Sequence, residues 1–342
     1  MRVFIVLFSF CMVVTGQTIE GSIVDAKSGE PVMNATVYLD GTSVGTVSDI
    51  DGKFSFAKPE EINADLIISI ISYEKKRIND PVNTNLNPIR LVKKTNVLDE
   101  VVLQLDPWSR KKKERYFKEQ FLGSVPEASK CDIVNLDKVR LRFNPSTELL
   151  TAVCDEPIVI LNKHLGYKIY YDLSDFEIQF VSYQKQTEDL TRRNVKSELA
   201  YGMKGTFFLG SSYFQELEGE KPSLKRRIKR REKAYLLSDL RFYRSLANNK
   251  LQEEGYTLYR HRKRVPISDN LRVNKINDFS RVNFRFKQYD FLINGKHQSF
   301  FVANGETIID SFGNNLTGKS ITFGGYISLI KLSGLLPLDY GL

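Results

Sequence analysis

The sequence predicts a mainly β protein: a small antiparallel sandwich at the front, then a larger β-rich region with a central helical pair. Three observations predict it. Residues 18–95 break into short alternating runs divided by dense turn signals. Alternation returns from Val139 and again from Tyr256. Between these stretches, residues 224–254 carry a helical period.

The first sixteen residues read as a secretory signal peptide. Arg2 supplies the positive start, and Val3 to Val14 is apolar apart from Ser9. Val14-Thr15-Gly16 suits cleavage, so the mature chain is expected to begin near Gln17. The run is too short to span a bilayer with ease, and no later stretch is apolar for long enough. Cys11 has no lipobox around it, which argues against a lipid anchor.

Thr18 to Asp25 alternates, with Ile19, Gly21, Ile23 and Asp25 on one face. Ala26 to Pro31 is a turn, Ala35 to Leu39 a strand, and Asp40-Gly41 and Asp49 to Gly52 are further turns. Lys53 to Phe56 and Leu66 to Ser72 complete the pattern of a small sandwich. Asp106-Pro107 reads as N-cap and first residue of a helix that ends at Gly123. Val139 to Phe143, Leu149 to Val153, Ile158 to Leu161, Tyr167 to Leu173 and Tyr201 to Leu209 follow as strands. Leu224, Ile228 and Tyr235 begin an apolar helical stripe. Ser238 caps a second helix with Leu240, Tyr243, Ala247 and Leu251 on one face, and Gly255 stops it. The organisation is then 1–16 signal peptide, 17–95 sandwich, 96–123 linker strand and helix, and 124–342 a β-rich domain.

Several segments carry a resemblance. Gly21 to Asp25, Gly29-Glu30-Pro31-Val32, Ala35 to Leu39, Gly45 to Asp49, Asp51 to Phe54 and Ser69 to Tyr73 follow the order of the carboxypeptidase regulatory-like domain. The resemblance implies a seven-stranded transthyretin-like β-sandwich of a kind found at the front of exported Bacteroidetes proteins, TonB-dependent receptors among them. Leu98 to Val102 resembles the segment that can contact TonB in those receptors. Too few residues follow for a 22-stranded transporter barrel, so it is read as a linker strand. Phe121-Leu122-Gly123, Cys131 to Asn135, Asp155-Glu156-Pro157, Leu165-Gly166-Tyr167, Glu253 to Tyr256 and Leu336 to Tyr340 resemble the C-terminal region of single-module proteins with this domain. That second resemblance implies no particular activity.

The motifs that would carry chemistry fail on context. A zinc carboxypeptidase needs two His and a Glu on the metal, but His164, His261 and His297 begin no ligand pattern. Gly41 to Gly45 matches G-x-S-x-G but lacks the following helix that a nucleophile elbow requires. Gly313 to Ser320 matches a P-loop, yet Ile321-Thr322-Phe323-Gly324-Gly325 is a poor helix start. Asp49-Ile50-Asp51-Gly52 begins like a calcium loop, but Phe54 and Phe56 occupy the positions that follow. No cofactor is expected.

The formal charge is +9, or +8 once Arg2 leaves with the signal peptide. Its densest basic run holds Lys225, Arg226, Arg227, Lys229, Arg230 and Arg231. After export, nucleic acid is not the expected partner. The run reads either as a contact for an anionic membrane surface or an acidic partner, or as a solvated helix face. Cys131 and Cys154 remain after cleavage. An oxidising destination allows a disulfide between them, and two independent buried thiols are the alternative.

The leading expectation is a non-catalytic exported binding or scaffold protein. It would act in the periplasm or on the periplasmic face of the outer membrane, contacting an envelope protein, a glycan or the membrane surface. The rival is a hydrolase built on carboxylates such as Asp155 with Glu156, or Glu253 with Glu254. Adjacent acidic residues diverge on a strand or helix, so neither pair is preorganised for acid–base work.

Overall fold

A computed structural model describes residues 17–59, 62–94, 106–189, 194–219 and 222–341. The signal peptide and Leu98 to Val102 lie outside the described residues.

The front of the chain is a β-sandwich of seven strands: β1 (Gln17–Asp25), β2 (Thr36–Leu39), β3 (Gly45–Val47), β4 (Lys53–Lys58), β5 (Leu66–Ser69), β6 (Lys76–Ile78) and β7 (Ile89–Leu91). One sheet has the order β4-β1-β7 and the other β3-β2-β5-β6. The alternation of β1 is realised: Ile19, Gly21, Ile23 and Asp25 are its buried residues. Asp25 is tolerated inside because its carboxylate accepts from the Lys27 and Ser28 amides and the Tyr73 hydroxyl. Strand β5 is shorter than the apolar run suggested, because Ile71 turns out to solvent. The G-x-S-x-G segment forms the turn between β2 and β3, where the Ser43 hydroxyl bonds the Asp339 carboxylate.

Helix α1 (Arg110–Leu122) starts later than Asp106-Pro107 predicted. Ser109 is its cap, accepting from the Lys112 amide at 3.3 Å. Asp106 serves a longer-range role: its carboxylate accepts from the Trp108 and Phe143 amides, both at 3.0 Å, and pairs with Lys113. The helical half of the presumed linker is therefore core, with Phe117 and Phe121 fully buried. They pack on a sheet of β8 (Cys131–Ile133), β9 (Arg140–Asn144), β10 (Leu149–Val153), β11 (Ile158–Asn162), β12 (Tyr167–Asp189) and β13 (Asn194–Glu216).

Strands β12 and β13 are the largest departure from the sequence reading. The short runs Tyr167 to Leu173 and Tyr201 to Leu209 are the foot and the return of one ribbon, each strand 23 residues long. Register shifts at Leu173/Asp175 and Gln179/Phe180 bend it. One edge of β12 takes β13, while β11 and β10 share its other edge end to end.

Helices α2 (Leu224–Leu236) and α3 (Asp239–Ala247) follow, α3 capped by Ser238 as the sequence indicates. The remaining strands are β14 (Tyr256–Arg260), β15 (Lys263–Val265), β16 (Leu271–Ile276), β17 (Phe279–Phe284), β18 (Gln288–Ile293), β19 (His297–Ala303), β20 (Thr307–Asp310) and β21 (Ile321–Gly325), closed by α4 (Tyr326–Ile330). They form one sheet ordered β15-β14-β18-β19-β21 and another ordered β16-β17-β20. Residues 124–342 thus hold two cores: one on β12, and a second around Phe242, Phe291 and Phe301. The P-loop match passes through a single 3-10 turn, Gly318–Ser320, directly into β21, with no α-helix there on which phosphate could rest.

Candidate functional site

The basic helix was the expected contact surface, and the structure divides it. Arg227 and Arg231 face inward and are 7% and 6% exposed. The Arg227 guanidinium donates to the carbonyls of Leu217, Gly219 and Pro222. Arg231 donates to the Leu165 and Gly166 carbonyls and to both Glu216 carboxylate oxygens, and it stacks 3.8 Å over the Tyr167 ring. Arg230 is half-buried and reaches the His164 carbonyl at 3.1 Å. These three arginines staple α2 to the foot of the ribbon, so they are withdrawn from the proposed anionic contact. Lys225, Arg226 and Lys229 remain exposed.

The apolar stripe of α2 is split by the same packing, with Tyr235 against the core and the other two residues outside. Leu224 and Ile228 are 65% and 45% exposed. Backbone carbonyls of two loops demand donors, and a planar guanidinium with five N–H groups answers several at once. The outer face of α2 consequently mixes Leu224 and Ile228 with lysines and Arg226.

The Cys131–Cys154 bridge is not formed, and both thiols are free. Cys131 lies opposite Asn162 at one end of β11, whereas Cys154 precedes the other end. The run from Ile158 to Asn162 covers about 13 Å, well beyond the roughly 7 Å Cα separation that a disulfide tolerates. Burial pushes the Cys131 thiol up to about 12.

The carboxylate pairs are also engaged. Asp155 binds Arg140, and Glu156 accepts from Asn135 at 2.9 Å. Glu254 pairs with Arg241 at 2.9 Å, and Glu253 is exposed. Asp40 and Asp65 do converge, at a cavity of about 370 Å³ between the sandwich and the end of the chain. They converge on Arg77, at 2.8 and 2.6 Å, and Asp40 also accepts from the Ser212 amide. The three histidines lie in the β11–β12 turn, the β14–β15 turn and at the start of β19, and among the described residues no group of three or more His, Cys, Asp or Glu side chains could hold a metal ion.

A different arrangement emerges where the foot of β13 meets α3 and the β21–α4 segment. A cleft of about 670 Å³ opens there, mostly apolar and walled by Phe208, Leu209, Phe323, Ile327 and Leu335. Lys331 and Asp239 are the charged side chains that line it. Lys331 follows α4 with a positive φ of 48°, a strained conformation for a lysine. Burial lowers its pKa from 10.5 to about 8. Its ammonium sits 3.4 Å from the Gln120 side-chain oxygen and 5.5 Å from the Phe208 ring centre, with no carboxylate partner among the described residues. Gly123 makes this placement attainable: a Cβ there would lie 2.5 Å from the Leu329 and Ile330 carbonyls, so only glycine lets the end of α1 meet the strand of chain before Lys331. Asp239 differs from Lys331, since it sits at the first turn of α3 and accepts from the Leu240 amide at 2.9 Å.

Sequence reasoning did not reach this cleft. Its walls come from residues 171–212, 237–239 and 318–335. The local signal was one lysine inside the run Ile327 to Leu338, which is otherwise apolar apart from Ser328 and Ser333, and no spacing rule joins that run to Phe208.

Residues 19–103 match the family model of the CarboxypepD_reg-like domain, in agreement with the seven-stranded sandwich. Over 87 residues the chain is similar to the TonB-dependent receptor SusC of Bacteroides thetaiotaomicron, at 39% identity. That match covers 25% of this chain and 8% of the receptor, so the chain spans a small part of the relative's length.

Proposed function

We propose that the chain is a non-catalytic, exported binding protein of the bacterial cell envelope, with its ligand site in the cleft beside Lys331. The observation that carries this reading is the lining of that cleft, which is mostly apolar with one unpaired lysine. Sites of this kind favour retention of a ligand by burial and a few polar contacts. Hydrolysis by paired carboxylates needs two free acids facing one volume. The candidate pairs instead hold arginines or amides.

The envelope location draws on the domain match and on the similarity to a TonB-dependent receptor. The exposed face of α2, with Leu224, Lys225, Arg226, Ile228 and Lys229, supports a peripheral contact with anionic lipid. An envelope protein or a glycan would be a further partner.

Crosslinking and pull-down of the tagged full chain from native envelopes, after cell fractionation, tests the proposal. The expected outcome is recovery in the periplasmic or outer-membrane fraction with a reproducible envelope component. Cytoplasmic retention, or turnover of an ester or glycoside that Asp40→Asn abolishes, would overturn it.

A further inference from the structure

We infer that the cleft takes a single-chain carboxylic acid, a fatty acid or close analogue, with its carboxylate on the Lys331 ammonium and its alkyl chain along Phe208, Leu209 and Phe323. The inference rests on the reading of the cleft as the ligand site and names the class of molecule that fills it.

Three observations carry it. The first is the unpaired cation. An ammonium withdrawn from water without a counter-ion is costly, and among the described residues Lys331 has an amide oxygen and an aromatic ring beside it but no carboxylate. That oxygen is already shared, since the Thr206 hydroxyl donates to Gln120 at 2.9 Å. An incoming carboxylate would supply the missing charge and accept a charge-assisted hydrogen bond. The second is the wall. Phe208, Phe323 and Leu335 are only half-buried and Leu209 is 57% exposed, so apolar surface stands open to solvent beside the charge. The volume of about 670 Å³ falls inside the usual range for small-molecule sites. The third is the count of charges. One lysine matches one carboxylate. A dianionic phosphate would leave a charge uncompensated. Asp239 needs no cation from a ligand because the first turn of α3 already donates to it.

The geometry at Lys331 supports this assignment. The residue is held between the C-terminal end of α1 and α4, with the Ser124 amide donating to the Leu329 carbonyl at 2.9 Å. A lysine kept at positive φ, where its chain lies in the cleft rather than in water, is backbone strain at a place of interest.

The test is displacement of a fluorescent fatty acid from the purified mature chain by palmitate and, separately, by hexadecanol. The two competitors share a chain length and differ in the head. The wild type is expected to bind palmitate roughly tenfold or more tightly than hexadecanol, as befits one hydrogen-bonded charge pair. Lys331→Met should abolish that preference by weakening palmitate, and Lys331→Arg should keep it. Leu209→Glu should weaken both. Equal binding of the two by the wild type, or a preference that survives in Lys331→Met, overturns the inference while leaving an apolar cleft that binds a neutral ligand. Binding of neither overturns the inference together with the cleft as an alkyl site, whatever the pull-down recovers. The wild-type comparison needs no variant to fold.

Discussion

Arg231 and Lys229 stand two residues apart in one basic run, and nothing in their spacing separates them. The fold does. Arg231→Met would leave the Leu165 carbonyl without its donor, at roughly 1–3 kcal/mol for the buried group, while the Gly166 carbonyl would keep the Leu217 amide. Lys229→Met would remove a solvated charge, with an effect within about 0.5 kcal/mol. Urea denaturation of the two variants should separate them clearly; equal midpoints would mean that Arg231 is not the staple described. Lys331 gives a second prediction, with a pH dependence. Burial lowers its folded-state pKa from 10.5 to about 8. Below about pH 8 the folded chain must keep the ammonium in the cleft, and that cost is fully present. As pH rises through this value, the folded chain releases the proton before the unfolded chain does, and the cost fades. Lys331→Met should therefore raise stability at pH 7, by on the order of 3 kcal/mol at most, and leave it unchanged above pH 10.5. Thermal melts at the two pH values read this directly, and an equal gain at both would sink it.

At the scale of elements, α2 shows how a helix can be found correctly and turned the wrong way. Periodicity located a helix here, and the rule that apolar residues face inward then put Leu224 and Ile228 in the core. The rule presumes that the neighbouring surface is apolar. Here the neighbours are loops with carbonyls to satisfy, and arginines take the inner face. What is left outside suits an anionic bilayer: two aliphatic side chains beside Lys225, Arg226 and Lys229. Replacing these three by Glu should abolish co-sedimentation with phosphatidylglycerol vesicles at low salt, and wild-type binding should fall as salt rises. Equal sedimentation of the two chains would remove α2 from the contact. The long β12–β13 ribbon was legible only as fragments. Its foot and return alternate cleanly, but bulges at Leu173/Asp175 and Gln179/Phe180 interrupt the period between them.

The sandwich and the ribbon sheet are joined by a small buried cluster of their own, Tyr38, Ile67 and Tyr213. The β2–β3 turn lies along the outer edge of β13: Gly41 donates to the Ser212 carbonyl at 2.8 Å, and Phe214 donates to Thr42 at 3.0 Å. Tyr38 stacks on Tyr213 with ring centres 5.2 Å apart, and its hydroxyl lies 3.1 Å from that of Ser211. The end of the chain closes over the same turn, where Leu338 donates to the Gly41 carbonyl at 2.7 Å. This covers part of an edge that would otherwise invite pairing with another strand. The sandwich and the ribbon sheet should therefore melt together. Calorimetry of Tyr38→Ala with Tyr213→Ser should split one transition into two, since each buried aromatic lost costs about 3–5 kcal/mol. A wild type that already melts in two steps would contradict the coupling.

By itself the sequence determined what local physics controls. Period-two alternation and turn residues marked the strands of the sandwich, and Ser238 and Gly123 marked helix ends. The P-loop and G-x-S-x-G matches were legible as turns because the residues after them cannot start a helix. Only the tertiary structure decided which arginines are buried, that Cys131 and Cys154 cannot meet, and where a ligand could sit. Each of these depends on partners far away in the chain. Burial of Arg231 is set by carbonyls at residues 165 and 166, and the surroundings of Lys331 by Gln120 and Phe208. Spacing along the chain carries information about a helix or a strand. It carries none about which side chains a fold brings together from a hundred residues away.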